Sequence, residues 1–414
     1  MKNNQRRLLA VTTFAAVAAL ALTSCADQGA AGGGSSADGS LPGVIKLVGV
    51  RDQTGPVAYS GIGAAEGAAL AAEQINQQKF LGEGVTLEIT ERDAAFNPQL
   101  AASEVTAALA DPATAAILGP MISSEALAVA PIAQNAGIPI VFTQSGVSGL
   151  LTGNMHFRAS APTSSYFHLL TDHIAASGAK TVNVLNSSSN PTFNELGKKV
   201  LPDLLKPAGV EVTQSFEFEA NVSDFQASVS KVVQENPDAV VLTLIGPQVA
   251  TATVQLRKSG YKGAIYTLSA VVPNALVPAG KDGEGVIYAT TFSVAQPTEN
   301  VKAFVEAFKQ KFGHEPNLFA AEAYDQVWWI GRAIKESGSA TRQGIAEGLT
   351  KVGNRASWAP RDSSPLRRGT MFGSKESLWS GTAPGNLWSS ISFGAGLSAV
   401  YNFEGCTPCC YRTC

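Results

Sequence analysis

Between Ala26 and Gly405 this 414-residue sequence has no cysteine. A disulfide framework for the body is therefore excluded. An excess of one charge is also missing: 30 Lys and Arg face 33 Asp and Glu, a net −3. Removal of Lys2, Arg6 and Arg7 with a leader brings this to about −6. With no basic stripe, nucleic acid is excluded as a partner. His156, His168, His173 and His314 have no zinc-ligand spacing with carboxylates, and no metal is expected. His168 and His173 stand five apart, a poor pair for one helix face. Gly61-Ile62-Gly63 with Gly67 misses the dinucleotide fingerprint by one residue, and neither a P-loop nor a Gly-x-Ser-x-Gly elbow occurs. No nucleophile–base constellation emerges, so neither an enzyme nor a cofactor is expected.

Long apolar runs are absent but for one. Leu8 to Leu22 carries no charge and follows Lys2, Arg6 and Arg7. Such a run is short for a membrane span and suits the h-region of an export signal. It ends in Leu22-Thr23-Ser24-Cys25. Small residues before a Cys, directly after an h-region, resemble the lipobox of bacterial lipoproteins. The resemblance implies a signal peptide over 1–24, a lipidated Cys25 and an extracytoplasmic chain held to the cell membrane. The alternative is an ordinary secretory signal with a chance Cys. Ala26 to Ser40 is Ala, Gly, Ser, Asp and Gln, which bury little apolar area, so 25–42 reads as the lipidated residue and a flexible tether.

The remaining chain is too long for one ordinary core, and two lobes are expected. From Val44 short apolar runs alternate with amphipathic stretches. Strands are expected over 44–50, 85–91, 115–118 and 138–142, and helices over 60–78, 98–110 and 123–135. A second series has helices over 162–176, 193–205, 224–234 and 249–258. Its strands span 181–185, 210–217, 239–244, 264–268 and 285–290. Two late helices, 299–312 and 318–335, are placed to return over the first series. The fold class is α/β, two Rossmann-like lobes with parallel sheets joined by a hinge. Ligands of open parallel sheets bind beyond the carboxyl ends of the strands, so facing lobes would form a cleft from those loops.

Several ordered pieces carry a family resemblance. Thr54-Gly55-Pro56-Val57-Ala58 follows the first strand, and Arg92-Asp93 with Asn97-Pro98 follows the second. Ile117-Leu118-Gly119-Pro120 leads to Ser123-Ser124, Gly137-Ile138-Pro139-Ile140 opens the fourth strand, and Phe157-Arg158 precedes the crossing between lobes. Ala320-Ala321-Glu322-Ala323-Tyr324-Asp325 opens a late helix. In this order they resemble the leucine/isoleucine/valine-binding protein family, periplasmic binding proteins of type I, from about Val44 to Gly353. The resemblance implies lobe 1 over 43–160 and 292–353, lobe 2 over 161–291, and three hinge segments. It implies a monomeric solute binder that delivers an amino acid, amide, urea-like solute or carboxylate to the permease and ATPase subunits of an ABC importer. A ligand sensor of the same fold is the alternative.

Candidate ligand contacts follow. Ser123 and Ser124, with Ile122, lie where a strand gives way to a helix whose free N–H groups favour a carboxylate or carbonyl oxygen; a plain helix cap is the other reading of the serines. The family uses backbone N–H and a hydroxyl at the loop that here reads Ser145-Gly146-Val147, and Val147 stands where many relatives have Thr. Tyr59, Ser60 and Phe193 could wall the cleft, Phe193 alternatively being a core aromatic. Gly246, Ser269 and Ala270 complete the set. Relatives that bind amino acids hold the ammonium with acids, yet 162–166 and 268–272 here carry none. Glu195 or Asp52 could substitute, or be solvated surface charges.

After Gly353 the composition changes. Residues 355–414 hold three of the five Trp and four of the five Cys, and the α/β rhythm is lost. Cys406, Cys409, Cys410 and Cys414 could read as a metal or redox motif. The other reading is a frameshifted end, in which case 354–414 is an atypical tail and an alternative reading frame encodes the family-like ending. No counterpart of the family's closing pair of strands is expected there.

Overall fold

The computed structural model describes residues 40–160, 163–268, 275–296, 298–355, 392–395 and 399–402. The expected leader, Cys25, the tether, Ser269, Ala270 and the tail cysteines lie outside the described residues.

The first lobe is built on a five-stranded sheet of β1 (Val44–Arg51), β2 (Thr86–Asp93), β3 (Thr114–Leu118), β4 (Ile140–Phe142) and β5 (His156–Arg158), in the order β2-β1-β3-β4-β5 and all parallel. Its central strands are apolar on both faces, as a parallel sheet covered twice requires; every residue of β3 is buried. One face is covered by α2 (Pro98–Leu109) and α3 (Ser123–Asn135), whose Val105, Val129 and Ala133 meet Val50, Ile117 and Phe142. The other is covered by α1 (Ala58–Gln77) with three helices from late in the chain: α9 (Glu299–Phe312), α10 (Leu318–Ser337) and α11 (Arg342–Arg355). Close approach sets this layer. A Cβ at Gly67 would fall on the Ala320 carbonyl, so α1 and α10 touch backbone to backbone.

The second lobe repeats the plan. Its strands are β6 (Thr181–Ser187), β7 (Glu211–Phe218), β8 (Ala239–Thr243), β9 (Ala264–Leu268) and β10 (Ile287–Thr290), in the order β7-β6-β8-β9-β10 and parallel. Around them run α4 (Thr163–Ala176), α5 (Pro191–Glu195), α6 (Leu201–Leu205), α7 (Gln226–Glu235) and α8 (Gln248–Lys258). A single π turn, Leu196–Val200, joins α5 to α6. Asn97 and Asn190 cap α2 and α5 in the same way, each accepting from two N–H groups ahead of a Pro in the first turn.

One expectation is overturned. The tail does supply a closing pair of strands: β11 (Ser392–Ala395) pairs antiparallel with β10, and β12 (Ala399–Asn402) pairs antiparallel with β11. The second sheet is thus seven-stranded. Strands of four residues, Ser-Phe-Gly-Ala and Ala-Val-Tyr-Asn, carry too little alternation to stand out in a sequence. The helix α11 and the three-residue β5 are likewise additions to the elements read from sequence.

Candidate functional site

Each sheet has the order in which the second strand lies outside the first and the third on its other side. The chain therefore changes direction between β1 and β3, and again between β6 and β8. A crevice opens beyond the carboxyl ends at such a point. The two crevices meet. The first-lobe wall is Val57, Tyr59 and Ser60 after β1, Met121, Ile122 and Ser123 after β3, Gln144 after β4, and Phe319 on α10. The second-lobe wall is Asn190, Thr192 and Phe193 after β6, with Ile245 and Gly246 after β8.

The lobes touch across this cleft. Ser123 Oγ and Thr192 Oγ1 are 2.6 Å apart, a hydroxyl–hydroxyl hydrogen bond between the first turn of α3 and that of α5. Ser148 Oγ donates to Glu195 at 3.1 Å. Gly246, at φ +47, sits so near the Pro56 carbonyl that a Cβ there would come within 2.7 Å of its oxygen. Between these contacts the cavity volume is about 40 Å³, room for about three waters.

The capping alternative for Ser123 fails: Ile122 holds the cap position, no side chain caps α3, and the serine hydroxyl faces the other lobe. Ser145 Oγ lies 3.4 Å from Ser123 Oγ and is buried, one layer behind the cleft. Ser124, Gly146 and Val147 do not line it, and Val147 packs against the α2–α3 core. Phe193 satisfies both its readings, since it is 7% exposed, belongs to the second-lobe core and lines the cleft. Ser60 donates to the Val57 carbonyl at 2.6 Å. Tyr59 stacks edge-on against Phe319, ring centroids 5.8 Å apart, and burial raises its hydroxyl's pKa above the ordinary tyrosine value.

Asp52 is not a solvated charge, as one sequence reading held. It is fully buried, accepts from the Phe96 N–H at 2.7 Å and stands beside Glu125. Burial raises the pKa of Asp52; burial, then the Asp52 charge, pushes Glu125 up to about 10, so Glu125 is a neutral acid at pH 7. Asp93, half-exposed, gathers the N–H groups of Gln53, Thr54 and Ala95 and the Thr54 hydroxyl, which lowers its pKa despite partial burial and shapes the loop ahead of Val57.

Sequence reasoning pointed to the loops beyond the strand ends that carry Val57, Met121, Gln144, Asn190, Thr192 and Ile245 without naming these residues, and it missed Phe319. Gln144 adopts a left-handed backbone at φ +35, and its amide donates to Glu322 on α10. Burial holds the Glu322 carboxyl well above the usual carboxylate range. Asn190-Pro191 was legible as a helix cap; Gln144 gave no signal. Among the described residues, no three His, Cys, Asp or Glu cluster to hold a metal ion.

Two similar lobes with a cleft at facing switch points define a two-domain solute-binding protein. The family model described as "Periplasmic binding protein" matches residues 44–371, and the chain belongs to that family, on the Leu/Ile/Val-binding side of type I. The leucine-, isoleucine-, valine-, threonine- and alanine-binding protein of Pseudomonas aeruginosa is 25% identical over 310 residues, 74% of this chain and 82% of that one. The Leu/Ile/Val-binding protein homolog 4 of Brucella abortus is 26% identical over 306 residues, 70% of this chain and 72% of that one. A leucine-binding protein structure from Thermotoga maritima superposes with a TM-score of 0.71 at 23% identity, covering 86% of this chain and 97% of its own. These homologues are solute-binding proteins of ABC transporters rather than enzymes, and membership implies an extracytoplasmic location. Among the described residues no helix is long and apolar enough to cross a membrane.

Proposed function

We propose that this chain is the substrate-binding lipoprotein of an ABC importer, anchored through a lipidated Cys25 and acting as a monomer. It captures a small polar solute between a first lobe of 43–160 with 292–353 and a second of 161–291, then presents the closed form to a permease. The observation that carries the reading is the direct bond between Ser123 and Thr192, one from each lobe, at the point where both sheets reverse direction. A solute oxygen entering there inserts between two hydroxyls and ties the lobes together. Closure is favoured by the solute's differential affinity for the closed arrangement, with no bond chemistry. A cavity of about 40 Å³ requires the lobes to part before a solute of more than a few atoms enters. Capture at ~0.1–10 μM corresponds to roughly −7 to −10 kcal/mol.

Relatives of this fold are described in complex with isoleucine in one structure and with benzoate in another. The solute is therefore chosen by this chain's own cleft. The test is a thermal unfolding scan of the purified full chain with amino acids, amides, urea and small carboxylates. A solute selective for the folded state raises the melting temperature, by about 2.7 kcal/mol of stability at one hundred times its Kd. A cooperative melt that no member of the panel moves would sink the capture reading.

A further inference from the structure

We propose that the captured solute is an apolar carboxylic acid with no ammonium group, its most favourable second polar group being a hydroxyl. This deepens the capture reading above and rests on it.

The first ground is charge. Among the described residues, none of the side chains lining the cleft is ionisable in the physiological range. The loops that close on it are uncharged in sequence as well: 53–60, 119–124, 143–149, 187–194 and 244–248 contain no Asp, Glu, Lys or Arg.

The second ground is that the nearest acids are committed elsewhere. Asp52 accepts from Phe96 and stands beside Glu125, which is neutral at pH 7. Asp93 is occupied by the loop ahead of Val57. Glu195 accepts from Ser148 outside the cleft lining. Glu322 lies behind Gln144, and burial holds its carboxyl well above the usual carboxylate range. An ammonium enclosed here would lose its water and meet no counter-charge, which buried cations tolerate poorly.

The third ground is what the walls do offer. The Ser123 hydroxyl and the first-turn N–H groups of the 13-residue helix α3 suit a carboxylate. Ile122, Phe193, Ile245 and Phe319 suit an apolar body. Gln144 is 7% exposed and lines the cleft, and its amide oxygen has no hydrogen-bond partner among the described residues. That oxygen accepts a hydroxyl proton without needing a charge on the solute.

The experiment is calorimetric titration of the full chain with acetamide and urea as neutral solutes and with two matched series that change one group. One is leucine, 4-methylpentanoate and 2-hydroxy-4-methylpentanoate; the other is phenylalanine, 3-phenylpropanoate and 2-hydroxy-3-phenylpropanoate. The expected result is binding by the desamino acids of at least one series, at least tenfold tighter than the amino acid, with the hydroxy acid equal or tighter. An amino acid that binds as well as or better than its desamino partner overturns the inference and leaves capture standing. So does binding of a neutral amide or urea with silence from both series. Silence from every compound, amides and urea included, overturns the inference and the capture reading together.

Discussion

Glu125 packs into the first lobe as a carboxyl with almost no water and a carboxylate neighbour. Its folded pKa of about 10 lies above the ordinary 4.5, so between those values the folded chain holds a proton that the unfolded chain releases. The stability from that proton is complete below about 4.5, declines as pH rises through neutrality and is gone near 10. Asp52, raised by the same burial, adds to the decline with the same sign. Glu125→Gln has no proton to lose. It is expected to match the natural chain near pH 4.5 and to exceed it by about 1–3 kcal/mol at pH 8, read as a rise of a few degrees in melting temperature. Parallel melting curves from pH 5 to 8 would show that Glu125 is ionised in the fold after all. At this scale the sequence was least informative. Asp52 and Glu125 look like surface charges in a string of letters, because nothing local records that β1 and α3 bring them together. Gln144 was invisible because its role depends on a left-handed turn and on a helix 178 residues further on. Ser123 was legible because the strand-to-helix junction that exposes it is itself a local pattern.

Among the elements, the α1–α10 contact is the tightest. Helices meeting at a glycine lose the spacing that a side chain would impose, and Gly67 against Ala320 is such a point. The same device recurs where Gly348 of α11 meets the Ala333 backbone of α10. Gly67→Ala gains up to about 1 kcal/mol of helix propensity but forces two backbones apart. Overpacking of this kind costs about 1–3 kcal/mol or more. A net lower melting temperature is the expected outcome; a higher one would mean the two helices stand further apart than described. Most elements were readable because parallel strands buried on both faces give unbroken apolar runs, such as Ala239–Thr243, separated by helices of ordinary length. Where the signal failed, the cause is length or context. His156–Arg158 is too short for a period to register. In α11, Ile345, Leu349 and Val352 are spaced for one helix face, but this short signal stands at the edge of a change in composition.

For the whole molecule, the hairpin of β11 and β12 completes a sheet whose strand β10 would otherwise be an edge. A chain ending at Arg355 leaves that edge unpaired, a template for association. Calorimetry of this truncation is expected to split the melt, the second lobe unfolding first, with aggregation on heating. A single transition at the natural temperature would mean that the hairpin contributes nothing to the sheet. The two-lobed plan was visible from the doubled β–α rhythm. The hairpin was not, because its strands gain their meaning only from a partner more than a hundred residues earlier.

The order in which the pieces come along the chain has a consequence for timing. Gln74 of α1 receives the hydroxyl of Tyr324 in α10, 250 residues later. The second sheet in turn waits for residues 392–402. The first lobe cannot complete its core until α10 has emerged, and contacts of such long separation form slowly. A polypeptide threaded through a narrow exit from its first residue onward thus keeps its leading half loose until the later helices have passed, a delay written into the order of its own elements.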